Sequence, residues 1–393
     1  MIYTDRIIVA VYIVKHDSIT GGDRVKEEYM LRAIALAKQG IGKVNPNPLV
    51  GAVVVKNDEI IAEGYHACYG ELHAERHAFS KLQNPEDARG AELYVTLEPC
   101  CHHGKQPPCT QAIIEHGIRK VYVGSDDPNE LVAGKGIRQL LDAGIEVETQ
   151  VLKAECDALN PVFFRYISTG LPYVVMKYAM TLDGKIACDS GKSKWVTSET
   201  AREHVQETRN ALSAIMVGVQ TVLQDDPLLT CRLPGGRNPV RIVCDSHLRI
   251  PLQSQLVQTV GRAPVWVATL PESLELPQAK KLQEKGVELL PVPGQQNLRE
   301  SVKLDLEKLM KILGEKKIDG ILLEGGGTLH AGALEAGIVN HAQVYIAPKW
   351  FGGSGRYTPV HGAGVEEPSL AWQGYHRKIT SLGEDILLEY DLR

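Results

Sequence analysis

The chain has 393 residues, 44% of them hydrophobic and 23% charged, with a formal net charge of −5. That length exceeds one ordinary domain, so two are expected, each long enough to bury a sizeable core. The mild acidity argues against a broad nucleic-acid surface, and the apolar run at 7–14 is too short to span a bilayer and lacks a signal-peptide cleavage site, so a cytoplasmic, non-membrane protein is expected.

In chain order, residues 1–25 read as an extension, with 7–14 an added strand. Met30, Ala33, Ile34 and Ala37 recur at helical spacing within 26–39, and Gly40 and Gly42 stop that helix. Asn45-Pro46-Asn47-Pro48 is a rigid turn. Strands are predicted over 49–55 and 60–63, then a helix from His73 to about Leu82. A strand at 92–97, a helix at 108–116, a strand at 119–124, a helix at 136–143 and a short strand at 145–149 follow. The stretch 151–172 is the expected linker, with a helix ending near Phe163-Phe164-Arg165-Tyr166 and a breaker-rich run at Ser168-Thr169-Gly170-Leu171-Pro172. Strands are then expected at 173–179, 214–218, 240–245, 265–268, 320–323 and 343–347, with helices at 198–210, 301–313 and 329–336. The alternation predicts α/β layers in both halves, with boundaries at 26–150 and 173–393.

His73-Ala74-Glu75 and the Pro99–Cys109 segment carry the sharpest chemistry. One imidazole and two thiols close three corners of a zinc tetrahedron and leave the fourth to water. His/Cys/Cys ligands with a non-ligating glutamate are the kit of a hydrolytic deaminase. Residues two apart on a helix start face different ways, so His73 can hold metal while Glu75 reaches the water. Cys109 follows Pro107-Pro108 at a predicted helix start, where a thiol's pKa falls. Cys100 is the preferred partner, and Cys101 is a competing ligand. Glu75 would take the water's proton and return it to leaving ammonia, so the substrate should be an amino-substituted heterocycle. Eight residues separate Cys100 from Cys109 where the usual signature has two, and His102, His103 and Lys105 in that segment suit an anionic substrate. A closed structural zinc site would have no use for Glu75. His66, His77 and His116 taken singly read as ordinary surface or core histidines. Cys68, Cys156, Cys188, Cys231 and Cys244 read as reduced, mostly buried thiols.

The second half lacks Gly-x-Gly-x-x-Gly after a first strand, so no cofactor can be argued from that fingerprint. Lys177 on a strand, and Asp225 with Arg232 in a loop after a strand, are polar groups at the edges of apolar runs. Glu324-Gly325-Gly326-Gly327 ends a strand and opens a helix, where glycine admits a ligand to the backbone and the helix N-terminus favours an anion.

Several motifs together resemble the bifunctional deaminase–reductases of riboflavin biosynthesis, from about Glu28 to the C-terminus. They are Asn45–Gly51, His73-Ala74-Glu75, Pro99–Cys109, and Asp127-Pro128-Asn129 with Val132–Gly136. In the second half they are Met176-Lys177, Leu182–Ala187, Trp195–Ser198, Gly218–Arg232, Glu324-Gly325-Gly326 and Ala347-Pro348-Lys349. The resemblance implies a cytidine-deaminase-like three-layer sandwich followed by a dihydrofolate-reductase-like α/β domain. It implies that the first domain deaminates a diaminopyrimidinone ribosylamine 5′-phosphate and that the second reduces the ribosyl chain to ribityl with NADPH. On the family pattern the zinc ligands are His73, Cys100 and Cys109, with Glu75 as proton shuttle. Asn47, His66, His102, Lys105, Asp127 and Asn129 would meet the first substrate. Lys177, Thr197, Arg232 and Glu324 would line the second pocket, with Lys177 positioning or polarising the opened sugar's carbonyl. Ser193, Trp195, Thr221, Asp225, Gly325 and Gly326 would lie on the cofactor side. The expected partners are a phosphorylated pyrimidine and further copies of the chain, with no nucleic acid and no membrane. Gln106 departs from the family's usual threonine, Lys105 from arginine, and Asn340-His341 from an acidic pair, the last read as a surface or interface change.

Overall fold

The computed structural model describes residues 27–102, 106–296 and 302–392. The expected strand at 7–14 and the substrate contact expected of Lys105 lie outside them. The first sheet holds β1 (Gly51–Lys56), β2 (Glu59–Tyr65), β3 (Glu92–Leu97), β4 (Lys120–Ser125) and β5 (Glu146–Glu148) in the order β2-β1-β3-β4-β5. β1 runs antiparallel to both neighbours, and β3, β4 and β5 are parallel. The helices of this half are α1 (Glu27–Ala37), α2 (Ala74–Phe79), α3 (Cys109–Glu115) and α4 (Lys135–Asp142).

Period-2 alternation sends Ala52, Val54, Leu93, Val95, Val121 and Val123 to one face, where they pack with Ala74, Ala78, Ala112, Ile113 and Leu140 of α2, α3 and α4. Val53, Val55, Tyr94 and Tyr122 go to the other face, under Tyr29, Met30, Ala33 and Ile34 of α1. Both faces are covered, which is why these strands read as continuous apolar runs. The result is a three-layer sandwich.

The 151–172 stretch carries two helices, α5 (Lys153–Asp157) and α6 (Pro161–Thr169). Gly170 ends α6 with φ near +69°.

In the second half the strands are β6 (Tyr173–Thr181), β7 (Ala214–Gly218), β8 (Val240–Cys244), β9 (Val265–Thr269), β10 (Glu288–Pro291), β11 (Gly294–Gln296), β12 (Val302–Leu304), β13 (Gly320–Leu323), β14 (His341–Ala347), β15 (Gly374–Leu382) and β16 (Asp385–Leu392). Nine of them form one sheet, β10-β9-β8-β7-β13-β6-β14-β16-β15, parallel as far as β14 and closed by the antiparallel pair β16 and β15. The helices are α7 (Glu199–Ala211), α8 (Val219–Asp225), α9 (Gln255–Gln258), α10 (Pro277–Glu284), α11 (Leu306–Glu315) and α12 (Gly327–Glu335). Alternation again divides two cores. Met176, Met216, Ile321 and Leu323 meet α11 and α12. Ile215, Val217, Val243 and Leu322 meet α9 and α10.

Three expectations need correction. Asp225 is the last residue of α8 rather than part of a loop after β7. The helix expected from 301 begins at Leu306, because Asp305 caps it by accepting from the Lys308 N–H at 3.0 Å, and 302–304 is strand. Asn340-His341 is a sheet junction, not a surface change. The Asn340 side chain accepts from Val174 N at 2.9 Å, and His341 on β14 reaches Asp391 on β16 at 2.8 Å.

Candidate active sites

The first site is assembled where α2, α3 and the loop after β3 converge. His73 stands at the N-cap of α2 in extended backbone, and Cys109 is the first residue of α3. α2 lies close against β2 because Gly64 has no side chain: a Cβ there would fall 2.3 Å from both the Ala74 carbonyl and the Ala78 nitrogen. Arg76 on α2 donates to the carbonyls of Pro107 and Pro108 at 3.0 and 2.9 Å. That clamp ties the start of α3 to the helix that bears His73 and Glu75.

His73 Nδ1 lies 3.5 Å from Cys100 Sγ and 3.4 Å from Cys109 Sγ. The three ligand atoms all fall within 4.8 Å of one another. Zinc with ordinary Zn–N and Zn–S bonds at tetrahedral angles needs N···S edges of about 3.5 Å. The donor set therefore fits zinc. The competing ligand Cys101 is turned away, donating to the Leu131 carbonyl at 3.7 Å.

Hydrogen bonding from the Cys109 thiol draws Cys100 down to about 4 against the opposing effect of burial, with His73 and the Cys109 backbone N–H adding to the pull. Cys109 is pushed up, because its proton serves Cys100 and it is buried. The backbone N–H of Cys109 at the helix start also donates to Cys100 Sγ at 3.4 Å. Glu75 is 3% exposed, and burial pushes its carboxyl up.

The other first-site residues surround this centre. Asn47 Nδ2 meets His66 Nε2 at 3.1 Å, and His66 Nδ1 meets the Leu72 carbonyl at 3.0 Å. The His66 ring stands edge-on to His73, with centroids 5.5 Å apart. Burial pushes Asp127 up to about 6, against the pull of the Asn129 N–H on its Oδ1 at 2.9 Å. His102 Nδ1 is buried without a hydrogen-bond partner among the described residues. His77 and His116 are structural, the first bonded to Tyr65 and the second stacked on Phe79 at 4.1 Å.

One group of this first site escaped the sequence reading. Buried Glu98 accepts from the backbone nitrogens of Gly134, Gly136 and Ile137 at 3.0 to 3.2 Å. Its carboxylate anchors the start of α4, and with it the end of the loop that carries Asp127 and Asn129. Its signal was its place immediately before Pro99-Cys100.

The second site is a cleft of about 730 Å³ that opens beside the carboxyl ends of β7 and β13, the usual place for a ligand in such a sheet. Lys177, Ser193, Trp195, Thr197, Thr221, Asp225, Arg232, Glu324, Gly325 and Gly326 all line it. Arg209, which the sequence reading passed over, grips Glu324 with two bonds, Nε–Oε1 at 3.1 Å and Nη2–Oε2 at 2.5 Å. Burial works against the Glu324 charge, but Arg209 and Lys177 outweigh it and hold the carboxyl below its ordinary value. Burial lowers Lys177, whose Nζ lies 5.6 Å from the Tyr345 ring centroid. Ser193 donates to Asp225 at 3.3 Å, and Arg202 stacks over Trp195 at 4.5 Å. Gly326 caps α12 at φ near +87°, which glycine adopts freely and other residues resist.

Comparison with known proteins matches both halves. Residues 23–125 match the cytidine and deoxycytidylate deaminase zinc-binding region, and 172–388 match the RibD C-terminal domain. The riboflavin biosynthesis protein RibD of Actinobacillus pleuropneumoniae is 55% identical over 363 residues, 92% of this chain and 94% of that protein. The RibD of Escherichia coli is 40% identical over 92% of this chain and 98% of its own length. A crystal structure of a diaminohydroxyphosphoribosylaminopyrimidine deaminase/5-amino-6-(5-phosphoribosylamino)uracil reductase from Thermotoga maritima is 39% identical. It superposes with a TM-score of 0.81 over 93% of this chain and 98% of that one. Acinetobacter baumannii RibD gives a TM-score of 0.82 at 35% identity, with the same coverage of both chains. With relatives matching nearly end to end and both domains present, the chain belongs to the RibD family, the bifunctional deaminase–reductases of riboflavin biosynthesis.

Proposed function

We propose that the first site deaminates 2,5-diamino-6-ribosylamino-4(3H)-pyrimidinone 5′-phosphate. The second site then reduces the ribosyl chain with NADPH, giving 5-amino-6-(5-phosphoribitylamino)uracil. The observation that carries the first step is the convergence of His73, Cys100 and Cys109 at tetrahedral-edge distances beside buried Glu75. His73, Cys100 and Cys109 would hold zinc, which would supply an acidified water to attack the amino-bearing ring carbon. Glu75 takes that water's proton and delivers it to the amino group that leaves as ammonia. Asn47 and His66 meet the pyrimidine, Asp127, Asn129 and His102 complete the pocket, and Lys105 contributes to substrate binding on the family pattern alone. The buried, unpartnered His102 nitrogen supports a polar ligand beside the metal.

For the second step the cleft size and the glycine-lined start of α12 suit a dinucleotide. NADPH bound there supplies the hydride. Ser193, Trp195, Thr221, Asp225, Gly325 and Gly326 hold its side of the cleft, and Thr197, Arg232 and Glu324 hold the substrate. Glu324 opposes the lowering that burial imposes on Lys177, and Lys177 orients the opened sugar's carbonyl. The unpaired state of all eight cysteines supports a reducing, cytoplasmic setting. Among the described residues no helix is long and apolar enough to cross a membrane.

The test is direct. Purified protein is incubated with the ribosylamine phosphate, with and without NADPH, and both products are identified by mass. Ammonia and the deaminated pyrimidine are expected without NADPH, and the ribityl product only with it.

A further inference from the structure

The turn that carries Asn47 is tied at both ends to groups outside the first sheet and its helices. At one end, Asn45 Nδ2 donates to Asp319 Oδ2 at 2.7 Å, and Arg237 Nη2 donates to Asn45 Oδ1 at 3.3 Å. Asp319 is 1% exposed, stands immediately before β13, and takes a further hydrogen bond from Ser213 at the foot of β7. Arg237 is held by its own N–H to Asn210 Oδ1 at 2.8 Å. Asn210 in turn packs so close to Gly42 that a Cβ there would fall 2.6 Å from it. At the other end, Leu49 exchanges two hydrogen bonds with Asn160, at the N-cap of α6, at 2.8 and 2.9 Å.

Both ends of the Asn45 amide are therefore committed to side chains of the C-terminal half, which fixes its orientation. Asn47, two residues on, spends an amide N–H on His66, whose ring stands against the metal-binding His73. Asn47 Oδ1 remains to accept from a substrate N–H. With the amide's donor and acceptor both satisfied, by a carboxylate and a guanidinium that are themselves hydrogen-bonded, the Asn45 side chain has one fixed setting. The strand geometry separates this node from reduction. Asp319 and Ser213 lie at the amino ends of β13 and β7, whereas Glu324 and the cleft lie at the carboxyl ends, about 16 Å away at the ordinary strand rise.

We propose that Asp319 and Arg237, although they belong to the C-terminal half, are positioning residues for deamination: by gripping the Asn45 amide they hold the Asn45–Pro48 turn so that Asn47 meets the substrate. The C-terminal domain thereby completes the deaminase pocket as well as carrying the second reaction. This rests on the assignment of Asn47 to the first substrate.

The full chain is used for the test. Asp319→Ala should raise KM for the diaminopyrimidinone about tenfold, as expected for losing a hydrogen bond to a charged group, with kcat for ammonia release changed by less than about threefold. Reduction of the deaminated pyrimidine and the zinc content should stay at their parent values. In the exchange variant Asn45→Asp/Asp319→Asn, the aspartate still accepts from Arg237 and the asparagine still donates across the interface. It should recover KM to within about threefold of the parent, where Asn45→Asp alone, which sets two carboxylates against each other, does not. An unchanged KM in Asp319→Ala overturns the proposal. So does a parallel fall of deamination, reduction and thermal midpoint, or an exchange variant no better than Asn45→Asp alone. Asn47→Ala separates the two ideas. If it leaves KM alone while Asp319→Ala raises it, the Asn47 assignment fails and this route with it. If it raises KM while Asp319→Ala is silent, only the node is wrong.

Discussion

Glutamate and glutamine differ by one ionisable oxygen, so Glu75→Gln changes proton transfer while keeping the side chain's volume in its buried seat. Ammonia release should fall by about 10²–10⁴-fold, the usual worth of a positioned acid–base group, with metal content by elemental analysis unchanged. Loss of the metal in that variant would mean the carboxylate is structural. At the second site Lys177→Ala should abolish NADPH oxidation and leave ammonia release intact. A fall in both would show that the two sites are not separate. The cluster of His73, Cys100 and Cys109 was legible because imidazole and thiols beside a His-x-Glu step have distinctive chemistry, whereas Asn47, His66, Asp127 and Asn129 were singled out by the family resemblance. Arg209 was not. Its partner Glu324 is 115 residues away, and an arginine on a helix reads as a solvated face until the fold pairs it.

At the scale of elements, the close seat of α2 on β2 decides whether His73 and Glu75 reach the metal site. Gly64→Ala would put a methyl group 2.3 Å from the helix backbone, so the helix must shift. We expect a loss of about 1–3 kcal/mol in denaturant unfolding, the ordinary cost of overpacking, with weakened zinc retention on dialysis. Retained zinc affinity and unaltered unfolding would show that α2 can move without consequence. Strands buried on both faces, such as β3 and β13, were plain in the sequence as uninterrupted apolar runs. β15 was not, because most of its nine residues are exposed and Gly374–Leu382 lacks that apolar run. α8 was missed because two turns between a strand and Asp226-Pro227 are too short to show a helical period.

For the whole molecule, the antiparallel end of the large sheet carries a pH-sensitive charge cluster. His341 and Lys378 hold the Glu389 carboxyl down at about 2, against an ordinary 4.5. Its folded value lies below its unfolded one, so the stability it adds is present above about pH 4.5 and disappears as pH falls toward 2. His341 is raised despite burial, through Glu389 and Asp391, so its contribution is complete below its unfolded value of 6.5 and fades as pH rises through the folded one. Glu389→Gln should flatten the acid limb of a plot of unfolding midpoint against pH. An unchanged limb would place the acid sensitivity elsewhere.

The sequence alone determined the layers of the first half, the parallel core of the second and the His73, Cys100 and Cys109 cluster that could hold a metal. Each of these is local: a period of two or 3.6, a proline before a thiol, a histidine two residues from a glutamate. Only the tertiary structure decided how Arg209 and Glu324 neutralise each other and how Asp319 reaches Asn45. Those contacts join residues 115 and 274 positions apart, and no periodicity along the chain encodes which distant groups packing will bring within hydrogen-bond reach.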